Sequence, residues 1–151
     1  LLQGLETLNL RMQQHVSNAQ AMVTWLQQQD AVAWVNHPDI NADAHTKALF
    51  PKGAGSMLTF GVKGGRDAGA AFINALQLSS NLANVGDSRT LVLHPGSTTH
   101  SRLSENDLIA AGIGADLIRV SVGIETLKDI QADFSLGLRA AAKIVAQQAE
   151  A

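Results

Sequence analysis

The sequence is poor in several residue types that would define a function class. It contains no cysteine, which excludes disulfides, thiolate metal sites and a cysteine nucleophile and favours a cytoplasmic protein. Aromatic residues make up 4%, charged residues 16%, and the net charge is −2. Without a basic cluster interleaved with aromatics, binding to nucleic acid has no support. No apolar run reaches the length of a membrane span, so we also expect no membrane association.

What the sequence does contain indicates one folded domain. The chain has 151 residues, 46% of them hydrophobic, which is enough for a substantial core. It begins without methionine, inside a segment that already has helical spacing, so we expect a piece of a longer protein. The apolar positions of that segment recur at steps of three and four residues: Leu5, Leu8, Met12, Val16, Ala19, Val23 and Leu26.

The remaining pattern predicts four strands and at least two further helices. The predicted strands are Ala31–Pro38, Ser56–Val62, Arg89–Pro95 and Leu117–Thr126. The predicted helices run to about Gln29, over Arg66–Leu78, from a cap at Ser104 with Asp107 as its partner, and from a cap at Thr126. Because helices separate only some of the strands, the order predicts an α+β two-layer sandwich. Its small sheet is mixed or antiparallel, with the helices on one face.

The segment LIRVSVGIET (117–126) carries the most informative side chain. One face of this predicted strand is apolar and belongs to the core: Ile118, Val120 and Val122. The other face carries Arg119 beside Ser121 and Gly123, whose small size would leave space in front of the guanidinium. A rigidly held arginine in such a place can bind a carboxylate through two parallel N–H···O bonds. A solvated surface arginine is the ordinary alternative, and the spacing leaves both open.

Three other motifs give weaker evidence for a binding site or none. NVGD (84–87) predicts a turn with Gly86 at positive φ and Asp87 bonded to backbone amides, and its exposed amides with Asn84 could hold an anionic group. GVKGG lacks the ending of a phosphate loop, so nucleotide binding is rejected. His94 and His100 have no third ligand nearby, so we predict no metal site and a hydrogen-bonding role for His94.

Four segments together resemble the Cys/Met-metabolism pyridoxal-phosphate enzymes. They are GLETLNLRMQQHVSNA, FPKGAGSMLTFGVKGG, NVGDSRTLVLHPGSTTH and LIRVSVGIETLKDI, which cover nearly the whole chain. The HP-x-S-x-T-H and R-x-S-V-G-x-E runs are specific to this family. Within it, KGAGSMLTFGVKGG and LANVGDSRTLVLHP are most similar to the O-acetylhomoserine sulfhydrylase branch.

The resemblance implies the small C-terminal domain of an aspartate-aminotransferase-like, fold type I enzyme. Residues 1–30 would be a linking helix, residues 31–151 the C-terminal α/β domain, and the large cofactor domain would be absent from this chain. The intact enzyme would be a cytoplasmic homotetramer that uses pyridoxal phosphate. It would combine O-acetylhomoserine with sulfide or a thiol, releasing acetate. None of the five lysines here lies in the family's Schiff-base motif, so we expect no catalytic or cofactor-binding residue, no firm hold on the cofactor and no activity from this chain alone.

The resemblance also assigns roles to three residues. Arg119 binds the substrate α-carboxylate, and Val85 offers its backbone amide to the same group. Asn84 lines the site at a position where lyase and synthase relatives usually carry serine, which favours the sulfhydrylase branch. Methionine γ-lyase and cystathionine γ-synthase activities remain open within the family. A non-enzymatic α+β module that binds amino acids is the alternative of another class.

Overall fold

A computed structural model describes residues 2–98 and 104–150. Its helices are α1 (Leu2–Glu6), α2 (Leu8–Leu26), α3 (Ala44–Leu49), α4 (Gly65–Ala75), α5 (Glu105–Ala110) and α6 (Leu127–Ala149), with a 3-10 turn at Pro95–Ser97. Its strands are β1 (Val32–Asn36), β2 (Met57–Val62), β3 (Ser80–Asn81), β4 (Leu91–Leu93) and β5 (Leu117–Ser121). In this described part, no helix is long and apolar enough to cross a membrane.

The strands form a mixed sheet in the order β1-β2-β5-β4-β3, with β5 at its centre. Neighbouring strands are antiparallel except β3 and β4, which are parallel. The mixed sheet was predicted, but β3 was not. Ser80 and Asn81 are two polar residues that form a strand by pairing with Leu91 and Val92, so no local pattern announces it.

One face of the sheet and three helices enclose the core. Buried apolar residues of β2, β4 and β5 meet those of α2, α4 and α6 in one cluster. Phe72 lies between Phe60 and Phe134, with ring centroids 5.4 Å away and interplanar angles of 79° and 81°. Edge-to-face contacts of this kind are favoured because the positive ring edge meets the negative ring face. The predicted two-layer arrangement, with helices on one face, is therefore confirmed.

The first helical segment differs from its prediction at both ends. It is interrupted at Thr7, and α2 ends at Leu26 instead of about Gln29. The apolar stripe is buried only over its second half, since Leu5 and Leu8 are 56% and 41% exposed. Residues before α2 therefore have helical spacing but little of this chain to pack against. The linking-helix role of residues 1–30 stays a prediction.

The helices predicted to begin after Ser104 and Thr126 do so, with one difference in capping. The Ser104 hydroxyl accepts the Asp107 N–H at 3.2 Å and donates to the Asp107 carboxylate at 2.6 Å, so the cap on α5 forms. Helix α6 begins after Thr126, as predicted, but the Thr126 side chain makes no capping bond. Its backbone carbonyl accepts the Ile130 N–H instead, at 3.2 Å.

The second face of the sheet is less enclosed. Trp34 of β1 lies against Gly61 of β2, is 37% exposed, and donates from its indole N–H to the Asp116 carboxylate at 2.7 Å. Further along, Arg119 and Thr59 are half-buried on this face. The second face therefore presents polar side chains of the central strands beside an aromatic edge.

Candidate functional site

Arg119 lies in the middle of the central strand. Its backbone pairs with Thr59 of β2 on one side and Leu93 of β4 on the other. Its chain neighbours Ile118 and Val120 are fully buried in the core, so its side chain is directed to the second face. Pairing on both sides fixes the backbone from which the guanidinium extends.

The Arg119 side chain is half-buried, and none of its donors is used within the described part of the chain. It makes no hydrogen bond or ion pair with any residue of 2–98 or 104–150. A guanidinium carries five N–H donors in a planar fork that matches a carboxylate. Arg119 therefore presents an unused fork from a rigid strand, as the carboxylate-binding interpretation requires.

A small pocket lies in front of this side chain, and we call it the Arg119 pocket. Its volume is about 240 Å³. It is lined by Asn36, His37, Pro38, Met57, Leu58, Thr59 and Arg119. Pockets for drug-sized ligands measure about 300–1,000 Å³, so this one suits a smaller molecule. The Asn36 amide and the Thr59 hydroxyl add further polar groups on the same face as the arginine.

Sequence analysis identified Arg119 but missed Asn36, His37 and Thr59. Thr59 is the polar residue on the non-core face of SMLTFGV, and this alternation could have singled it out. Its position beside Arg119 depends on the register of β2 against β5, which no local pattern reveals. Asn36 reaches the pocket through its pairing with Thr59.

The space in front of Arg119 does not come from the residues that were predicted to provide it. Ser121 is 1% exposed. The volume that a side chain at Gly123 would need is filled by the backbone of Ser88 and Arg89 and by the Glu125 carboxylate. The prediction that both small residues open the site is therefore wrong for Gly123. Its lack of a side chain admits a neighbouring loop instead.

That loop contains the NVGD turn, which has the predicted form. Gly86 has φ 76°, and the Asp87 carboxylate accepts the Arg89 N–H at 3.0 Å. The Arg89 guanidinium also donates to Asp87 at 3.3 Å, and this side-chain bond is the largest cause that lowers the Asp87 pKa. Arg89 is thus already paired.

Asn84 and Val85 lie in this loop and do not line the Arg119 pocket. Both are exposed, Val85 by 61%. The Val85 N–H donates to the Asn84 side-chain oxygen at 2.8 Å, so that amide can reach a ligand only when this bond opens. The structure therefore shows these two loop residues bonded to each other and outside the pocket that Arg119 lines.

Hydrogen bonds tie the loop to the end of β5. The Glu125 carboxylate accepts the Thr90 N–H at 2.6 Å and the Thr90 hydroxyl at 2.8 Å. The Thr90 hydroxyl in turn accepts the Gly123 N–H at 3.0 Å, and the Ile124 N–H donates to the Ser88 carbonyl at 2.9 Å. The glutamate of the R-x-S-V-G-x-E run thus holds backbone in place.

Helix α2 fixes the same segment from the other side. The His15 Nδ1–H donates to the Val122 carbonyl at 2.7 Å, because a carbonyl can only accept. The Asn18 amide donates to the carbonyls of Gly123 and Glu125, at 3.1 and 2.9 Å. The buried polar residues of α2 therefore position the strand that carries Arg119.

The histidines weighed as metal ligands have other roles or lie outside the described residues. His94 is 1% exposed, and its Nε2 lies 2.8 Å from the Ala115 carbonyl, which confirms its hydrogen-bonding role. His100 is not among the described residues. Across residues 2–98 and 104–150, no group of three histidine or carboxylate side chains is placed to hold a metal ion.

Comparison with known proteins identifies the family. The model of the Cys/Met metabolism pyridoxal-phosphate-dependent enzymes matches residues 1–139. The chain belongs to this family. Homocysteine synthase of Schizosaccharomyces pombe is 48% identical over 144 residues, which are 93% of this chain and 34% of that protein. O-acetyl-L-homoserine sulfhydrylase 1 of Thermus thermophilus is 45% identical over 141 residues, 91% of this chain and 34% of that protein.

Solved structures of family members have the same fold. Cystathionine γ-lyase from Lactobacillus plantarum, complexed with L-serine, matches with a TM-score of 0.81 and 30% identity over 93% of this chain and 37% of its own. A Campylobacter jejuni protein described as an O-acetylhomoserine (thiol)-lyase matches at 0.79 and 37% identity, over 91% of this chain and 34% of its own. The predicted fold, the small domain of a fold type I enzyme, is confirmed. The chain spans about a third of the length of the curated relatives it matches.

The family depends on pyridoxal phosphate, and the Campylobacter jejuni structure contains the cofactor attached to a lysine. The five lysines of this chain are all described and all exposed: Lys47, Lys52, Lys63, Lys128 and Lys143. None of them lines the Arg119 pocket. The lysines present do not fit a cofactor attachment point beside Arg119, so the chemistry assigned to this chain is limited to binding.

Proposed function

We propose that this chain is the C-terminal part of a pyridoxal-phosphate-dependent O-acetylhomoserine sulfhydrylase. The intact protein would convert O-acetylhomoserine and sulfide or a thiol into homocysteine or methionine, with release of acetate. The names of the relatives at 45–48% identity support this activity. The observation that carries the role of this chain is Arg119, which is half-buried in a small pocket and has no partner among residues 2–98 and 104–150.

Arg119 would bind the substrate α-carboxylate through two parallel N–H···O bonds. The pairing of β5 on both sides holds the arginine in place before the substrate arrives, so little ordering remains for the binding step. Asn84 and Val85 would approach the same ligand from the loop after their mutual hydrogen bond opens. The chain alone would bind this end of the substrate weakly and would not turn it over.

The remaining features of the proposal concern the whole protein. It would be a transferase of the methionine branch of sulfur metabolism, located in the cytoplasm and assembled as a homotetramer. The half-exposed apolar residues of α1 and the start of α2 are consistent with further packing in such an assembly.

Product analysis of the full-length protein tests this activity. O-acetyl-L-homoserine would be supplied with sulfide, with cysteine or with no acceptor. The proposal predicts homocysteine with sulfide, little cystathionine with cysteine, and little 2-oxobutanoate without an acceptor. Cystathionine as the main product would favour a cystathionine γ-synthase. With methionine supplied as the sole substrate in a further reaction, release of methanethiol would favour a methionine γ-lyase.

The isolated chain provides the matched control. Calorimetric titration with O-acetyl-L-homoserine should give at most weak binding and no heat of turnover. Tight, saturable binding by the isolated chain would support the non-enzymatic module. It would contradict the proposal that this chain alone binds the substrate only weakly.

A further inference from the structure

The loop between β3 and β4 differs between its tip (82–85) and its base (88–90). At the tip, Leu82 and Val85 are 47% and 61% exposed, and the Val85 N–H donates to the neighbouring Asn84 side chain. At the base, Thr90 is fully buried. An exposed connection that only joins two strands gains little from a buried attachment, because such loops normally run over the surface without one. The attachment at the base therefore needs an explanation.

Thr90 and Glu125 make this attachment, which we call the loop anchor. The Thr90 hydroxyl accepts the Gly123 N–H at 3.0 Å and donates to the Glu125 carboxylate at 2.8 Å. The same carboxylate accepts the Thr90 N–H at 2.6 Å. Hydrogen bonds to a carboxylate are stronger than those between neutral groups. The hydroxyl is thus acceptor and donor at once, which serine would reproduce and valine would not.

The segment that receives the loop is itself held in place. The Asn18 amide of α2 donates to the carbonyls of Gly123 and Glu125 at 3.1 and 2.9 Å. The Ile124 N–H donates to the Ser88 carbonyl at 2.9 Å, so the base is bonded to this segment through its backbone as well. Because Gly123 has no side chain, the loop backbone lies directly against it. These contacts give the base of the loop one defined position relative to β5.

This position brings the loop tip within reach of a ligand on Arg119. Leu91 pairs with Ser121 and Leu93 with Arg119, so β4 runs from the loop base to the side of the arginine. Gly123 follows Arg119 by four residues, or about 13 Å at the rise of a strand. Asn84 precedes Thr90 by six residues, which span up to about 20 Å when extended.

We propose that Thr90 and Glu125 are positioning residues, which hold the loop so that Asn84 and Val85 contact the same substrate carboxylate as Arg119. This inference rests on the proposed function, in which the two loop residues approach that carboxylate. It adds that their contacts depend on an anchor that itself touches no substrate. Binding groups need such support because small displacements weaken their hydrogen bonds.

Substitutions of Thr90 in the full-length protein separate anchoring from packing. Thr90→Val keeps the size of the side chain and the backbone N–H but removes the hydroxyl, whereas Thr90→Ser keeps the hydroxyl and removes a methyl group. Thr24→Val is the matched control, because the exposed Thr24 hydroxyl donates within its own helix, to the Gln20 carbonyl at 3.1 Å. The readouts are KM and kcat for O-acetyl-L-homoserine at saturating sulfide, below the melting temperature of each variant.

The proposal predicts that Thr90→Val raises KM about tenfold and leaves kcat within about threefold, since a contact made equally in the ground state and the transition state is weakened. Thr90→Ser and Thr24→Val should stay within about threefold of the parent protein in both parameters. A folded Thr90→Val protein with the parent KM would overturn the proposal. Equal rises in KM for the valine and serine variants would also overturn it, because the methyl group and not the hydroxyl would then matter.

A double-mutant cycle tests whether the anchor acts through the loop. In the Asn84→Ala protein, Thr90→Val should raise KM by about threefold or less, because the loop has already lost a contact that the anchor positions. A further tenfold rise in this background would mean that Thr90 acts through β5 and Arg119 alone, which contradicts the proposal.

Glu125→Gln replaces Thr90→Val if that variant does not fold. Its amide oxygen can still accept the Thr90 N–H, but its amide nitrogen cannot accept from the hydroxyl, so KM should rise about fivefold or more. A KM like that of the parent would overturn the proposal. The proposed function is judged separately by product analysis. A parent protein that forms no homocysteine refutes the function, whereas an active parent with unaffected anchor variants refutes only the anchor.

Discussion

The two faces of β5 differ in how their side chains are satisfied. On the helix side, Ile118 and Val120 are fully buried and belong to the apolar cluster that contains the three phenylalanine rings. On the other side, Arg119 is half-buried and makes no hydrogen bond or ion pair with residues 2–98 or 104–150. The first face stabilises the fold, whereas the second presents a guanidinium whose donors are unused by residues 2–98 and 104–150, which is expected of a binding surface.

The largest loss of stability is expected from a substitution on the helix side of the sheet. Phe134→Ala should lower the free energy of unfolding by about 3–5 kcal/mol, because it removes a fully buried ring and leaves a cavity beside Phe60 and Phe72. Phe50 is 47% exposed and provides the matched control, for which Phe50→Ala should cost less than about 1 kcal/mol. Urea denaturation of both variants measures the difference. Similar losses would mean that the aromatic cluster is not the centre of the core.

Removal of a buried carboxylate on the helix side should give the second largest loss of stability. Asp133 of α6 accepts the backbone N–H groups of Gln77, Leu78 and Ser79 at 2.6, 3.0 and 2.9 Å. Asp133→Ala should cost about 2–4 kcal/mol, because the Ser79 amide at least is left buried without an acceptor. A loss below about 1 kcal/mol would show that water replaces the carboxylate.

The same residue predicts the direction of a pH effect. Burial acts to raise the Asp133 pKa, but the three backbone bonds outweigh it and the pKa is lowered. The stabilisation is therefore complete above the pKa of the unfolded chain, about 3.9, and is lost as pH falls through the lower pKa of the folded protein. Urea midpoints between neutral and acidic pH should decline more steeply for the parent chain than for Asp133→Asn. Parallel curves would contradict this account.

The smallest loss of stability is expected from a substitution on the second face of the sheet. Arg119→Ala should change the free energy of unfolding by less than about 1 kcal/mol, because the side chain makes no hydrogen bond or ion pair with the described residues. A larger loss in thermal or urea denaturation would mean that Arg119 supports the fold and is not reserved for a ligand.

The sequence predicted the two faces of β5 better than it predicted their surroundings. Alternation in LIRVSV separates core from site because burial imposes a period of two on a strand. Strand β3 and the contribution of Asn36 and Thr59 depend on which strands pair, and pairing joins residues far apart in the chain. Gly123 was misread for a similar reason, since the loop that fills its space comes from residues near Ser88. Arg119 was found because its chemistry is anomalous within its own segment.

The most direct test of the central assignment compares two arginines in the full-length protein. Arg119 lines the pocket and has no partner in the described part of the chain, whereas Arg89 is 61% exposed and already bonded to Asp87. Arg119→Ala should lower kcat/KM for O-acetyl-L-homoserine by at least about a hundredfold, since both charge-assisted bonds to the carboxylate are lost, while Arg89→Ala stays near the parent value. Near-normal substrate affinity in a folded Arg119→Ala protein would contradict the assignment of the α-carboxylate to Arg119.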